Sequence, residues 1–158
     1  MEINKVIKNV FTQEQIAYLN NLVESNYHNI KLNAETDRGR DDIMIDSNIS
    51  QEIKDVIAQH FDEGYSIYHI SYSDYNNNHI NPNLPEHRDP NYPANALTFD
   101  YQLNANIDWP LCIEKKCYSL ENNDAIIFDP KNQDHYRPDL EFKTGDYVRI
   151  LFFYLNKI

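Results

Sequence analysis

Two periodicities divide the chain. In its first third, apolar residues recur at three- and four-residue steps. Ile16, Leu19, Leu22 and Val23 follow Thr12 and Gln15, a pair spaced for a capping box, and predict a helix over residues 13–25. Ile49, Ile53, Val56, Ile57 and Phe61 form a second stripe behind Asn48 and Gln51, which predicts a helix over 49–61. Residues 42–45 between them read as a short strand. From Tyr65 onward the pattern changes to tyrosine-rich and β-branched runs broken by Asn, Asp and Pro, the mark of consecutive strands and turns. Strands are expected over 65–72, 97–103, 111–114, 117–120, 125–128, 135–137 and 147–155, and residues 73–84 read as a polar loop longer than a plain hairpin needs. Two helices followed by a run of short strands describe an α+β chain. The natural architecture is a jelly-roll double sheet of mostly antiparallel strands, with the N-terminal helices packed on one sheet.

At 158 residues the chain is one domain, 1–158, in which 1–64 act as helical support and 65–158 form the jelly-roll core. No repeat or low-complexity linker divides it. A formal charge of −11 disfavours a sequence-independent grip on nucleic acid or on an anionic membrane, and leaves neutral or cationic partners easier to accommodate. The longest apolar stretch, near 150–155, is far too short to span a bilayer, and no charged-then-apolar leader opens the chain, so the expectation is a soluble, cytoplasmic protein. Cys112 and Cys117 flank Ile-Glu-Lys-Lys, a spacing that can set them opposite each other across a tight hairpin. In the expected compartment they should nonetheless be reduced thiols with no structural or catalytic role. Oligomeric state is not legible.

The tripeptide His-x-Asp occurs twice, at His60-Phe61-Asp62 and at His87-Arg88-Asp89. Residues two apart on a helix point about 200° apart, so the copy ending the second helix cannot close on one ion. On an extended segment they project to the same side. Pro85 and Pro90 hold the second copy extended, so His87 and Asp89 can share a cation. Downstream, an apolar run over 125–128 ends in Asp129-Pro130, and His135 opens the next strand. A third ligand from a separate strand completes a two-histidine, one-carboxylate triad, which suits Fe(II) and leaves coordination positions open. Arg149 interrupts a final strand that is apolar on both faces, where an unpaired guanidinium is costly. It must meet an anion, either a protein carboxylate or a bound carboxylate gripped bidentately.

From about Tyr65 to the C-terminus the chain resembles the double-stranded β-helix core of the 2-oxoglutarate and Fe(II)-dependent oxygenases, particularly the prolyl-hydroxylase-like branch. The segments that carry the likeness are Leu84-Pro85-Glu86-His87-Arg88-Asp89, the run over 96–104, Asp108-Trp109-Pro110-Leu111, Asn123 to Phe128, His135-Tyr136-Arg137-Pro138 and Tyr147 to Leu151. The resemblance implies Fe(II) on His87, Asp89 and His135, and 2-oxoglutarate as co-substrate with its C5 carboxylate on Arg149. O2 would be the oxidant, with succinate and CO2 released as a substrate is hydroxylated. Tyr72 matches a tyrosine that touches the co-substrate in that family. Arg137, two residues after His135, would share its side of the strand and contact co-substrate or substrate; otherwise it is a surface residue paired with Asp134 or Asp139. The chain departs from the branch at Pro110-Leu111-Cys112-Ile113, where a glycine pair is common, and at Leu151, where a small hydroxyl residue is common. The implied substrate is an amino acid, a peptide or a protein side chain. Residues 38–42 and the 73–84 loop are the surfaces expected to choose it. The competing reading is a catalytically silent, or non-2-oxoglutarate, metal-binding jelly-roll module.

Overall fold

The computed structural model describes residues 1–28 and 38–157. Its elements run β1 (Val6–Ile7), α1 (Gln13–Asn26), β2 (Arg40–Ile45), α2 (Gln51–Ala58), β3 (Tyr65–Asn76), β4 (Leu84–His87), β5 (Leu97–Ala105), β6 (Leu111–Ile113), β7 (Lys116–Tyr118), β8 (Ala125–Phe128), β9 (His135–Arg137) and β10 (Tyr147–Lys157). The expected capping box forms at α1: Thr12 Oγ1 accepts from Gln15 N–H, and the Gln15 side chain reaches back to the Thr12 N–H. Helix α2 is shorter than its apolar stripe. Ser50 caps it through a 3.4 Å bond from Ile53 N–H, while Asn48 N–H is taken by Asp46. At its far end the bonds from His60 to Ile57 and from Phe61 to Ala58 tighten the chain out of α-helical register.

Among the described residues ten strands make two antiparallel sheets, one ordered β1-β8-β5-β10-β3-β2 and the other β4-β9-β6-β7. Strand β3 runs four residues further than its pattern suggests, because Ser73 to Tyr75 find partners on both sides, in β2 and in β10, and Asn76 finds one in β10. Helices α1 and α2 lay Leu19, Val23, Ile53 and Ile57 on the outer face of the larger sheet, against Ile43, Ile70, Phe99, Leu151 and Phe153. Burying each such side chain contributes roughly 1.5–3 kcal/mol. This is the expected double-stranded β-helix with helices on one sheet. Two smaller apolar clusters, around Trp109 and Val148 and around Leu111 and Ile126, fill the space between the sheets and leave a cavity between them. Cys112 and Cys117 face each other on the β6–β7 hairpin, with Cα atoms 3.9 Å apart, and are joined as a disulfide. That corrects the expectation of reduced thiols: the hairpin register makes Cys112 and Cys117 direct cross-strand partners. Among the described residues no helix is long and apolar enough to cross a membrane.

Candidate metal centre

Three side chains converge at the mouth of that cavity. His87 ends β4, Asp89 follows it, and His135 opens β9 directly opposite His87 in the ladder. Arg88, between the first two, points the other way and is tied to Asp134 at 2.7 Å. Extended geometry therefore does what the sequence required of it, and the Asp89 N–H bond to Pro130 O at 2.8 Å holds the segment in place. Asp89 lies 3.6 Å from His87 Nε2 through one oxygen and 3.2 Å from His135 Nε2 through the other. Each imidazole gives its Nδ1–H to a backbone carbonyl, His87 to Pro85 at 2.7 Å and His135 to Gln133 at 3.0 Å. These bonds fix the tautomer, so both Nε2 lone pairs face the common centre. Burial pushes the His87 pKa down, which keeps the ring neutral as a ligand must be. Among the described residues this is the group whose donor atoms all lie within 4.8 Å of one another. Two nitrogens and one carboxylate fit a divalent first-row ion with positions left open.

Behind the triad the cavity has a volume of about 330 Å³. Its floor is the inner face of the larger sheet, and that face is polar. Thr98 and Asp100 on β5, Ser71 and Ser73 on β3 and Asp42 on β2 all line it. Arg137, on the same side of β9 as His135, is 3% exposed and crosses to this floor. It donates to Trp109 O, sits 5.3 Å over the Trp109 ring and lies 3.8 Å from Asp100. Burial raises the Asp100 pKa to about 6, against the pull of Arg137 and His135. At the other side Arg40 is fixed by Asp42 at 2.9 Å and by the Tyr75 hydroxyl at 3.0 Å, and Asp42 also takes the Ser73 hydroxyl. His69, Tyr92, Phe152 and Tyr154 complete the wall, with Tyr92 edge-on to Tyr154 at 5.4 Å.

No family model matches the chain, and no curated protein matches it in sequence. Its shape is another matter. An oxidoreductase of the 2OG-Fe(II) oxygenase family from Burkholderia pseudomallei superposes with a TM-score of 0.70 over 96% of this chain and 82% of its own, at 8% identity. A Pseudomonas putida prolyl-4-hydroxylase gives 0.65 over 98% and 92%, at 12% identity. The viral collagen prolyl hydroxylase of Paramecium bursaria Chlorella virus-1, in complex with 2OG, gives 0.60 over 96% and 95%, at 13% identity. The chain has the 2-oxoglutarate oxygenase fold.

Within this oxygenase fold two of the expected co-substrate residues lie outside the cavity. Along β10 the side chains that enter the space between the sheets are Val148, Ile150, Phe152 and Tyr154. Leu151, Phe153 and Leu155 face the helices, and Arg149 is in phase with them. Its guanidinium stacks 4.0 Å over the Tyr147 ring and meets Asp74 at 3.3 Å, so the protein carboxylate is its partner. Burial raises the Asp74 pKa, and Arg149 opposes that rise. Tyr72 is likewise on the helix side, buried in the core beside Tyr27 at 6.3 Å, where burial pushes its pKa up. Arg137 is the expected residue that does line the cavity, and no pairing with Asp134 or Asp139 holds it at the surface. Of the expected substrate-choosing surfaces, residues 38–42 contribute Arg40 and Asp42 to the cavity.

His69, which by its spacing reads as a surface or packing residue, lines the cavity, and so do Thr98 and Asp100, which no motif marks. Their signal is present as strict alternation on β5, where Leu97, Phe99, Tyr101 and Leu103 share one face and Thr98, Asp100 and Gln102 the other. Such a pattern normally marks a solvated face. Here the polar face is also covered, so alternation of this kind in a strand between two layers is the trace of a polar cavity.

Proposed function

We propose that the chain is an Fe(II)- and 2-oxoglutarate-dependent dioxygenase that hydroxylates an amino acid, a peptide or a protein side chain. The observation that carries this reading is the convergence of two tautomer-locked Nε2 atoms and one carboxylate at the mouth of a polar-floored cavity. When bound, the ion and 2-oxoglutarate supply the oxidising chemistry, with O2 as oxidant and succinate and CO2 as products. His87, Asp89 and His135 are the residues that hold the ion. Asp89 argues for oxygen transfer, since its carboxylate occupies the position a halide would need.

Arg137 is the residue that takes the far carboxylate of the co-substrate. It leaves the same face of β9 as His135, so it would hold the carboxylate remote from the ion. Its Nη2 has no hydrogen-bond partner although it is buried, and the Thr98 hydroxyl on the floor has none either. Arg149 and Tyr72, on the far side of the sheet, have no part in this grip. Phe152, Tyr92 and Tyr154 wall the site and keep water from it, while Arg40 and Asp42 present a fixed ion pair toward whatever substrate enters. The prolyl hydroxylases among the similar structures favour a peptide or protein substrate.

The decisive experiment is anaerobic titration with Fe(II) and then 2-oxoglutarate, watching for the visible charge-transfer band of a chelated keto acid. The band is expected in the native protein and absent in His135→Ala. No band in the native protein, or an unchanged one in the variant, sinks the reading. Succinate release on admitting O2 separates an enzyme from a silent scaffold of the same shape.

A further inference from the structure

The floor of the cavity holds a carboxylate that the proposed chemistry does not use. Asp100 is 1% exposed, and its Oδ1 has no hydrogen-bond partner. Its other oxygen lies 3.8 Å from Arg137 Nη2, inside ion-pair range but beyond a hydrogen bond, and that nitrogen is itself unpartnered. Leaving buried polar groups this incompletely matched is costly, roughly 1–3 kcal/mol each. The Thr98 hydroxyl beside them is also unpartnered, but other polar side chains here are matched. Gln102, on the same face of β5, is spent on Leu120 O and Asn122, and the Arg40–Asp42 pair is closed by Tyr75 and Ser73.

Arg137 cannot swing away to resolve the mismatch. Its Nη1 is bound to Trp109 O and its plane lies against the Trp109 ring. The guanidinium is therefore a fixed cation with one carboxylate already beside it and one donor still open. We propose that Asp100 competes with the far carboxylate of the co-substrate for Arg137, and so sets how tightly a dianionic keto acid is held. This rests on the oxygenase reading given above. Two carboxylates against one guanidinium on this buried floor repel each other, which weakens the incoming one. A keto acid lacking the far carboxylate escapes that penalty, and gains nothing when it is lifted. Asp100 is thus a specificity-determining residue that acts on the co-substrate rather than on the metal.

The test is equilibrium titration of the Mn(II)-loaded protein with 2-oxoglutarate and with 2-oxobutyrate, which has no far carboxylate. Calorimetry gives the affinity. Trp109, the single tryptophan of the chain and the residue stacked on Arg137, gives an independent fluorescence signal. Asp100→Asn should tighten 2-oxoglutarate roughly tenfold or more, about one pKa unit's worth of lost repulsion, and leave 2-oxobutyrate within about twofold. Asp100→Ser, with melting curves for both variants, guards against a single misfolded substitution. Unchanged or weaker 2-oxoglutarate binding in both folded variants overturns the inference, because Asp100 then merely supports Arg137. Equal tightening of both keto acids also overturns it, as general loosening. If Mn(II) binds but neither native protein nor variants take either keto acid, the oxygenase reading itself falls. Measurable binding to the native protein with no gain in the variants removes only the role of Asp100.

Discussion

Two arginines, twelve residues apart and both on strands, make opposite predictions. Arg137 reaches the cavity floor, whereas Arg149 lies on the helix side of β10 against Asp74. Replacing Arg137 by Gln keeps much of its length and a donor toward Asp100 but removes the charge that would meet an incoming carboxylate. Hydrogen bonds to charged groups contribute about 1.5–3 kcal/mol, so losing the one that the open Nη2 would give a carboxylate should weaken 2-oxoglutarate roughly 10- to 150-fold. Arg149→Gln should leave that affinity within about twofold. Its effect is on stability, because it takes the cation from the buried Asp74 carboxylate, which should cost roughly 1–3 kcal/mol. Calorimetric titration of the two Mn(II)-loaded variants at one pH, beside urea melts, reads both quantities. If Arg149→Gln abolishes 2-oxoglutarate binding while Arg137→Gln retains it, the facing of β10 and the assignment of the anchor are both refuted.

Other consequences can be checked on the same variants. Asp100, with its pKa raised from 3.8 to about 6 in the fold, makes the native state bind more protons than the unfolded state between those values, so its contribution turns against stability as pH rises through that window. Asp100→Asn should therefore gain on the native protein from about pH 4 to pH 6, reaching on the order of 2–3 kcal/mol and staying level above, and a difference in urea midpoint that is flat with pH contradicts this. Opening the Cys112–Cys117 loop, with its sequence separation of 5, should cost about 2 kcal/mol on chain-entropy grounds, measured as the loss of unfolding free energy in Cys112→Ser. Gly39 has φ +66°, and a Cβ there would come 2.6 Å from Pro82 Cα. Gly39→Ala should thus destabilise by at least about 1 kcal/mol and disturb the neighbouring Arg40–Asp42 pair, whereas an unchanged melting curve would show that the loop yields freely.

The candidate metal site was legible because its juxtaposition depends on local geometry: two prolines fix an extended segment, and an extended segment sets His87 and Asp89 side by side. The helices were legible from their stripes, and α2 erred only at its ends, where Ser50 competes with Asn48 for the cap. Facing in the final strand was not legible. When both faces of a strand are covered, apolar residues carry no phase, and Arg149 among them gave the need for an anion without saying on which side it stood. Its partner comes from β3, 75 positions earlier, in a stretch that read as loop until β2 and β10 were there to pair with it. Asp100 was hidden for the opposite reason, since its alternation imitates a solvent-facing strand.

The ladder between β4 and β9 is thin. Only Leu84 with Arg137 and His87 with His135 are in register, and a bulge separates them. β4 is also an edge strand, between the 77–83 loop and the bend after Asp89. An ion held by His87 and His135 would be a rivet through that seam, closing a loop of some fifty residues at the point where the backbone holds it least. With no ion there, the protein should open first along β4, and the proposed metal centre would double as the fastening of its own doorway.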